Sequence, residues 1–525
     1  MDIGEDTLTV ADVAAVARHP GNTAFALSGQ AAEQMAASVD LRNRLIATGR
    51  PIYGVTTGFG DSARFHVGTG RAAALQHGLI RFHLNGSGPD TADDVVRATL
   101  LIRANCLARG RSGVRRDLVD LLLDLLRHDI LPRVPERGSV GASGDLVPLC
   151  YVADVLTGHG EVTHRGAPLP AAEALDACGL TPVTLEAKEG LALINGTSFM
   201  SGFATLAAHD AEHLALVADV CTALTCEALE GNLGHFHDAV HRNKPHPGQL
   251  RSAARIRALL TGSRLATDHL RAHAGLPRIG AQQVVPLERA VQDRYSVRCA
   301  PHVTGVLLDT LGWVVPWLDV EINSSNDNPL FDPALDEPLS GGNFYGGHVG
   351  QAMDALKTAV ASVGDLLDRQ LALLVDDKFN RGLPLNLAAP PEESAGMGHG
   401  FKGAQIACSA LAAEALKLTN PATAHSRSTE AHNQDKVSMG TIAARDARTV
   451  VELVTEIAAL HLLACCQAAE LRGPDRLAPG TRAVFDLVRT HAAFLDTDRR
   501  LDTDLRALTG LIRRGGVSEV VEGAR

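Results

Sequence analysis

The sequence predicts a mainly α-helical protein, with a mixed, loop-rich N-terminal domain followed by a bundle of long helices. Three observations carry this. Long Ala/Leu-rich runs, with apolar residues three and four apart, dominate the chain after its middle. Alternating, strand-like patterns are few and short, around Ile52 and in "EVTHRG" from Glu161. Hydrophobic residues make up 45% of the 525 and aromatic ones only 4%, so the core is large and aliphatic.

In chain order, Thr91 before Asp93 and Asp94 predicts a helix N-cap, with the helix running to Gly110. "RRDLVDLLLDLLRHDILP" predicts a second helix closed by Pro132. Four longer runs follow: Phe199 to Gly231, His302 to Asn323, His348 to Phe379 and Met439 to Arg472. Pro316 predicts a kink in the second of these. The change of character falls near Asn195, giving expected domains 1–195 and 196–525. The run from Phe199 is interrupted by His209, Asp210, Glu212 and Asp219, which favours a buried helix over a membrane span. So much aliphatic surface on long helices predicts burial between subunits of a symmetric oligomer.

A net charge of −11 without a basic tail argues against a nucleic-acid partner. The acidic "MDIGEDTLTV" start carries no secretory pattern, and nine scattered cysteines without a CxxC pair suit a reducing cytoplasm. His237 and His241 have the spacing of a metal pair. However, Pro245 and Pro247 follow closely and no third ligand is placed, so no metal is expected.

The glycine-rich stretch "GSVGASGDLVPL", from Gly138, is chemically loaded. It is no Walker loop, since no Lys-Ser/Thr follows, and no nucleophile elbow, since Asp145 stands two after Ser143. Read alone it is a helix N-cap made by Ser143 or Asp145. Three other stretches accompany it. "PIYGVTTGFGDSA" sets Tyr53 beside small residues, and "EGLALINGTSF" sets Asn195 among apolar ones. "VQDRYSVRCAPHV" groups Gln292, Tyr295 and Arg298.

Together "YGVTTGFG", "GSVGASGDLVPL", "KEGLALINGT", "QDRYSVRC", "EINSSNDNPL", "GGNFYGGHVG" and "STEAHNQDKVSMG" resemble, in order, the motifs of the histidine, phenylalanine and tyrosine ammonia-lyases and related aminomutases. The resemblance implies that family's fold, with the N-terminal domain carrying a self-processed electrophile. Ala142, Ser143 and Gly144 would cyclise and lose two waters to give 4-methylidene-imidazol-5-one (MIO), with no external cofactor. The residue types suit this: glycine at 144 offers the attacking nitrogen least hindrance, and Ser143 supplies the leaving hydroxyl. The electrophile would make the substrate amine expellable. The resemblance further implies Tyr53 as base, its phenol lowered from about 10, and Arg298 as a fork for the substrate carboxylate. It implies that Asn195 and Gln292 orient the carboxylate and the MIO carbonyl, and that Tyr295 assists proton handling. Phe344 would pack on the substrate, and Glu430 would sit near its amine. A homotetramer with shared active sites follows from the same likeness.

Substrate choice in the family looks to the positions of Phe82 and His83. Phenylalanine lyases resemble Phe-Leu there, tyrosine lyases His-Leu and histidine lyases Ser-His, so this chain is a hybrid. Gln434 stands where histidine lyases carry glutamate, which removes a charge partner for imidazole. "FYGGHVG" resembles bacterial tyrosine enzymes and aminomutases. The expected reaction is conversion of L-phenylalanine to trans-cinnamate and ammonia. Tyrosine or histidine elimination, or an aromatic 2,3-aminomutase reaction, are the alternatives; three glycines in the Tyr53 loop favour an opening loop and release. A silent helical scaffold would show a broken tripeptide or a missing base, and both are intact here.

Overall fold

The computed structural model describes residues 1–274, 276–287, 290–390, 392 and 396–523. They are mostly helical, as the fold class read from the sequence requires. By packing, the chain forms two units: Met1–His209 with Val314–Asp354 and Asn420–Arg448, and Asp210–Trp313 with Ala355–Thr419 and Thr449–Arg525. These units are discontinuous in sequence, whereas the expected domains are continuous spans.

In the first unit the helix Asp93–Ala108 is buried on nearly every side, with helices Val10–Arg18 and Arg116–Arg127 packed on it. The last is strongly amphipathic and buries Leu118, Leu122, Leu125 and their neighbours, each worth about 1.5–3 kcal/mol relative to exposure. It ends at Arg127, before Pro132, because Asp129 turns left-handed (φ 53°) and Ile130–Pro132 becomes a strand. That strand pairs antiparallel with Glu161–His164, which pairs with Ala167–Pro170, so the strand pattern in "EVTHRG" is correct.

Two local expectations fail for one reason. Thr91 does not cap the helix: its N–H is held by the Val134 carbonyl at 2.8 Å, and Ala92 takes the cap position without a side-chain bond. Ile52 lies in a turn rather than a strand, its N–H donating to Thr56 Oγ1 at 2.8 Å, while its side chain packs with Leu41, Leu45, Val55 and Phe331. In both cases a specific partner outweighs the local propensity.

Three further helices of this unit, Ala72–His83, Leu146–Leu156 and Glu189–Ile194, pack on one another. Their arrangement brings together the C-terminal end of the first, the approach to the second and the C-cap of the third. Those three points carry Phe82 and His83, the tripeptide, and Asn195.

The long helices are Ser198–Ala228, Ala300–Ile322, Gly347–Val375 and Gly440–Arg472, within a few residues of expectation. The second of them continues through Pro316. Ala300–Ile322 and Gly440–Arg472 are long and apolar enough to cross a membrane by composition; 39% and 78% of their most apolar windows, respectively, are buried within the chain. In the second unit, Gln370 Nε2 donates to the Ser296 carbonyl at 2.8 Å and to Thr222 Oγ1 at 2.9 Å, fixing the short helix Tyr295–Arg298. His237 accepts from the Ala239 N–H as a helix cap, and buried His241 bonds the His235 carbonyl and Gln249.

Candidate active site

The loop before the Leu146–Leu156 helix is held from both ends. Gly144 adopts φ 70°, and a β-carbon there would collide with the Gly196 carbonyl, to which the Asp145 N–H donates at 2.7 Å. Asp145 stands at the N-cap position but makes no side-chain cap. Its fully buried carboxylate instead accepts from Ser139 Oγ at 3.0 Å, the Met200 N–H at 2.8 Å and Thr441 Oγ1. Burial pushes this carboxyl up to about 6, against the opposing effect of those donors. On the other flank the Gly141 carbonyl accepts from the Ser438 N–H at 3.1 Å and from Ser438 Oγ at 2.9 Å.

Between these clamps, Asn195 Nδ2 donates to the Ser143 carbonyl at 2.8 Å and Gln434 Nε2 donates to Ser143 Oγ at 3.2 Å. The residues present therefore fit a backbone-derived electrophile. The segment is tightly turned, glycine is required at its third position, and the serine side chain faces open space.

That space is a cavity of about 470 Å³. It gathers Tyr53, Phe82, His83, Ala142, Ser143, Asn195, Phe344, Glu430 and Gln434 from the expected set, with Gly144 completing the tripeptide. Asn328, Tyr345, Asn433 and Lys436 line it too without having been singled out, although each stands inside a quoted motif.

The Tyr53 hydroxyl accepts from the Gly60 N–H at 3.1 Å. Burial raises its pKa, the Gly60 donor lowers it and the Glu430 charge raises it, so the phenol stands above its ordinary value. This differs from the lowered phenol expected of the base, because the groups around it in this unit supply burial and a negative charge. Gly60 (φ 54°) approaches Glu430 so closely that a β-carbon would run into the carboxylate.

His83 Nδ1 donates to the Leu79 carbonyl at 2.9 Å. Burial lowers its pKa, so the ring is neutral and presents the lone pair of Nε2. The Phe82 ring lies beside it, centroids 4.1 Å apart, and is 60% exposed.

Gln292, Tyr295 and Arg298 are not among the residues lining this cavity. They belong to the second unit, where Tyr295 is 72% exposed and the Arg298 guanidinium lies 4.5 Å from its ring centroid. Arg298 Nε is buried without a partner among the described residues. Gln292 lines a separate cavity of about 440 Å³, with Asp293, Arg294, Lys378 and Arg381.

A buried ion pair, unread in the sequence, supports the cavity wall. Lys188, at φ 78° immediately before the Glu189–Ile194 helix, bonds Asp327, and both side chains are 0% exposed. Ser112 Oγ donates to the other Asp327 oxygen at 2.7 Å. Asp327 adjoins Asn328 of the cavity, so the pair ties the helix that ends at Asn195 to a second stretch of wall.

Comparison with known proteins gives the family. Residues 8–490 match the aromatic amino acid lyase family model. The chain is 42% identical to the tyrosine ammonia-lyase of Cupriavidus metallidurans, covering 100% of this chain and 98% of that protein. It is 39% identical to the histidine ammonia-lyase of Symbiobacterium thermophilum, covering 98% and 97%. Among solved structures it resembles the tyrosine aminomutase of Streptomyces globisporus, with TM-score 0.94 and 36% identity over 100% of this chain and 99% of that one.

Proposed function

This chain belongs to the aromatic amino acid lyase family, and within it we propose elimination of ammonia from an L-amino acid with a neutral phenyl ring, L-tyrosine ahead of L-phenylalanine. The observation that carries this is the Phe82–His83 wall. Phe82 offers an apolar face, and the Nε2 lone pair of His83 is free to accept a phenol hydrogen because Nδ1 is committed to Leu79. Phenylalanine, the ring favoured by Phe82 and Gln434 in the sequence, fits the same wall but leaves that acceptor without a donor. An imidazole substrate would meet Gln434 rather than a carboxylate. The products are the arylacrylate, trans-coumarate or trans-cinnamate, and ammonia.

In this reading Tyr53 removes the β-proton, and Ala142-Ser143-Gly144 matures to MIO, whose chemistry is to bind the substrate electrophilically and make its amine expellable. Asn195 orients the tripeptide carbonyl. Phe344 packs the ring, and Glu430 attends the amine. Arg298, with Gln292 and Tyr295, receives the carboxylate at the site of a neighbouring copy in a homotetramer. The exposure of Tyr295 and the partnerless Nε of Arg298 support this. A guanidinium arriving there would favour the Tyr53 phenolate that its own unit disfavours. The cytoplasm is the proposed compartment, in keeping with cysteines that form no disulfide among the described residues.

The likeness to a tyrosine aminomutase supports a second reading, return of the amine to the β-carbon. One competition assay separates these. Equal L-tyrosine, L-phenylalanine and L-histidine are supplied, and all products are resolved by mass spectrometry. Coumarate as main product is expected. Predominant cinnamate would reverse the ring preference, urocanate would overturn the neutral-ring reading, and a β-amino acid would make the enzyme a mutase.

A further inference from the structure

We propose that Thr429 is a positioning residue for maturation of the Ala142-Ser143-Gly144 segment: through Gln434 it holds the Ser143 hydroxyl where that hydroxyl leaves as water. The inference rests on the reading of this segment as the precursor of the electrophile, and goes beyond it by assigning residues of a distant turn to the processing step.

Thr429 Oγ1 donates to Gln434 Oε1 at 2.9 Å, which turns the other end of the carboxamide, Nε2, onto Ser143 Oγ at 3.2 Å. The main chains of the two residues also pair in both directions, at 3.0 and 3.3 Å. Between them Glu430, Ala431 and His432 lie successively at φ 53°, 51° and 67°. Left-handed geometry is disfavoured for each of these residues, and three in a row persist only where the surroundings over-determine the turn. The Asn433 N–H on the Glu430 carbonyl (2.9 Å), Asn433 Nδ2 on Glu430 Oε2 (3.0 Å) and Ser428 Oγ with His432 Nδ1 (2.8 Å) complete that closure. What the strained turn delivers to the tripeptide is the Gln434 donor.

The contact between that donor and Ser143 Oγ has a use only before processing is complete. Ring closure joins the Gly144 nitrogen to the Ala142 carbonyl carbon; the carbonyl oxygen leaves as water with the amide hydrogens of Gly144 and Ser143, and that carbon becomes doubly bonded to the Ser143 nitrogen. Ser143 then loses its Cα hydrogen as a proton and its Oγ–H as hydroxide, together a second water, and Cα and Cβ become doubly bonded. As the Cβ–Oγ bond breaks, negative charge gathers on Oγ, where the Gln434 N–H points. Afterwards Oγ is gone, so this contact serves maturation and cannot serve turnover.

The test follows freshly translated full-length chain by intact mass over time. The parent is expected to lose two waters. Thr429→Val, which keeps the shape and removes the donor, should lose them about tenfold more slowly, and Thr429→Ser should restore the parental rate. Gln434→Leu, which deletes the N–H itself, should be slow as well, and it decides the matter if Thr429→Val fails to fold. Parental rates in Thr429→Val or Gln434→Leu would overturn the proposal, as would a Thr429→Ser as slow as the valine variant. A parent that never loses the waters would instead overturn the reading of the tripeptide itself, and this proposal with it.

Discussion

Asn195 donates from Nδ2 to the Ser143 carbonyl at 2.8 Å, while its own Oδ1 is buried without a partner among the described residues. A buried acceptor left unmade costs roughly 1–3 kcal/mol, a cost retained here at the floor of the cavity. One end of this carboxamide thus holds the tripeptide while the other end is unpaired among the described residues. Asn195→Ala should lower kcat by about 10²–10³-fold, the effect of losing one preorganised donor. Steady-state rates on the best aromatic substrate check this, and a variant within threefold of the parent would remove Asn195 from the machinery.

The pH profile should report the contact between Tyr53 and Glu430. Burial raises the Tyr53 phenol and the Glu430 charge raises it further. As the proposed base Tyr53 would act as the phenolate, so activity is expected to rise with pH through the Tyr53 pKa. Glu430→Gln removes a raising influence, and the ascending limb of kcat/KM should move to lower pH, whatever happens to its height. A limb that stays in place would mean that another group titrates there.

The sequence made legible those cavity residues whose side-chain type is improbable in its setting. A phenol among glycines, an amide in an apolar helix end and a serine in a glycine-rich turn are each readable without knowledge of any partner. Thr429 and Lys188 gave no such signal, because their roles lie in bonds to Gln434 across a left-handed turn and to Asp327, 139 residues away. Distant partners also explain Thr91 and Ile52, where a carbonyl at Val134 and a turn closed by Thr56 outweigh the local pattern. Gln292, Tyr295 and Arg298 were legible as a chemical set, yet their segment is built in the other packing unit.

Stability should carry the signature of Asp145. Its carboxyl is raised by burial to about 6, above the unfolded value, so the folded state binds the proton more tightly than the unfolded chain. Folding is therefore favoured below both values and loses stability as pH rises between them, by roughly 3 kcal/mol at about 1.4 kcal/mol per unit. Asp145→Asn has no proton to lose. Its melting temperature relative to the parent should climb between pH 4 and pH 6 and then level off, whereas a constant difference would contradict the assignment.

The Lys188–Asp327 pair should show strong dependence of each partner on the other. Both charges are fully buried, and burial lowers the lysine pKa against the pull of the carboxylate. Lys188→Met strands Asp327 and should destabilise by about 3–5 kcal/mol. Lys188→Met with Asp327→Asn removes the stranded charge and should recover much of that loss in a denaturant melt. Additive losses in the double variant would mean that the two residues act separately.

In the proposed reading, ring preference turns on His83. Its Nδ1 is fixed on Leu79 and its ring is neutral, so the only polar service it can render a substrate ring is to accept at Nε2. A tyrosine phenol can donate there and a phenylalanine ring cannot. His83→Leu should therefore lower kcat/KM for tyrosine by about tenfold, the worth of one neutral hydrogen bond. Phenylalanine, which leaves the acceptor empty in the parent, should be turned over as well or better. Equal losses on both substrates would show that His83 shapes the cavity rather than reading the hydroxyl, and preference would then rest on Phe82 and Gln434.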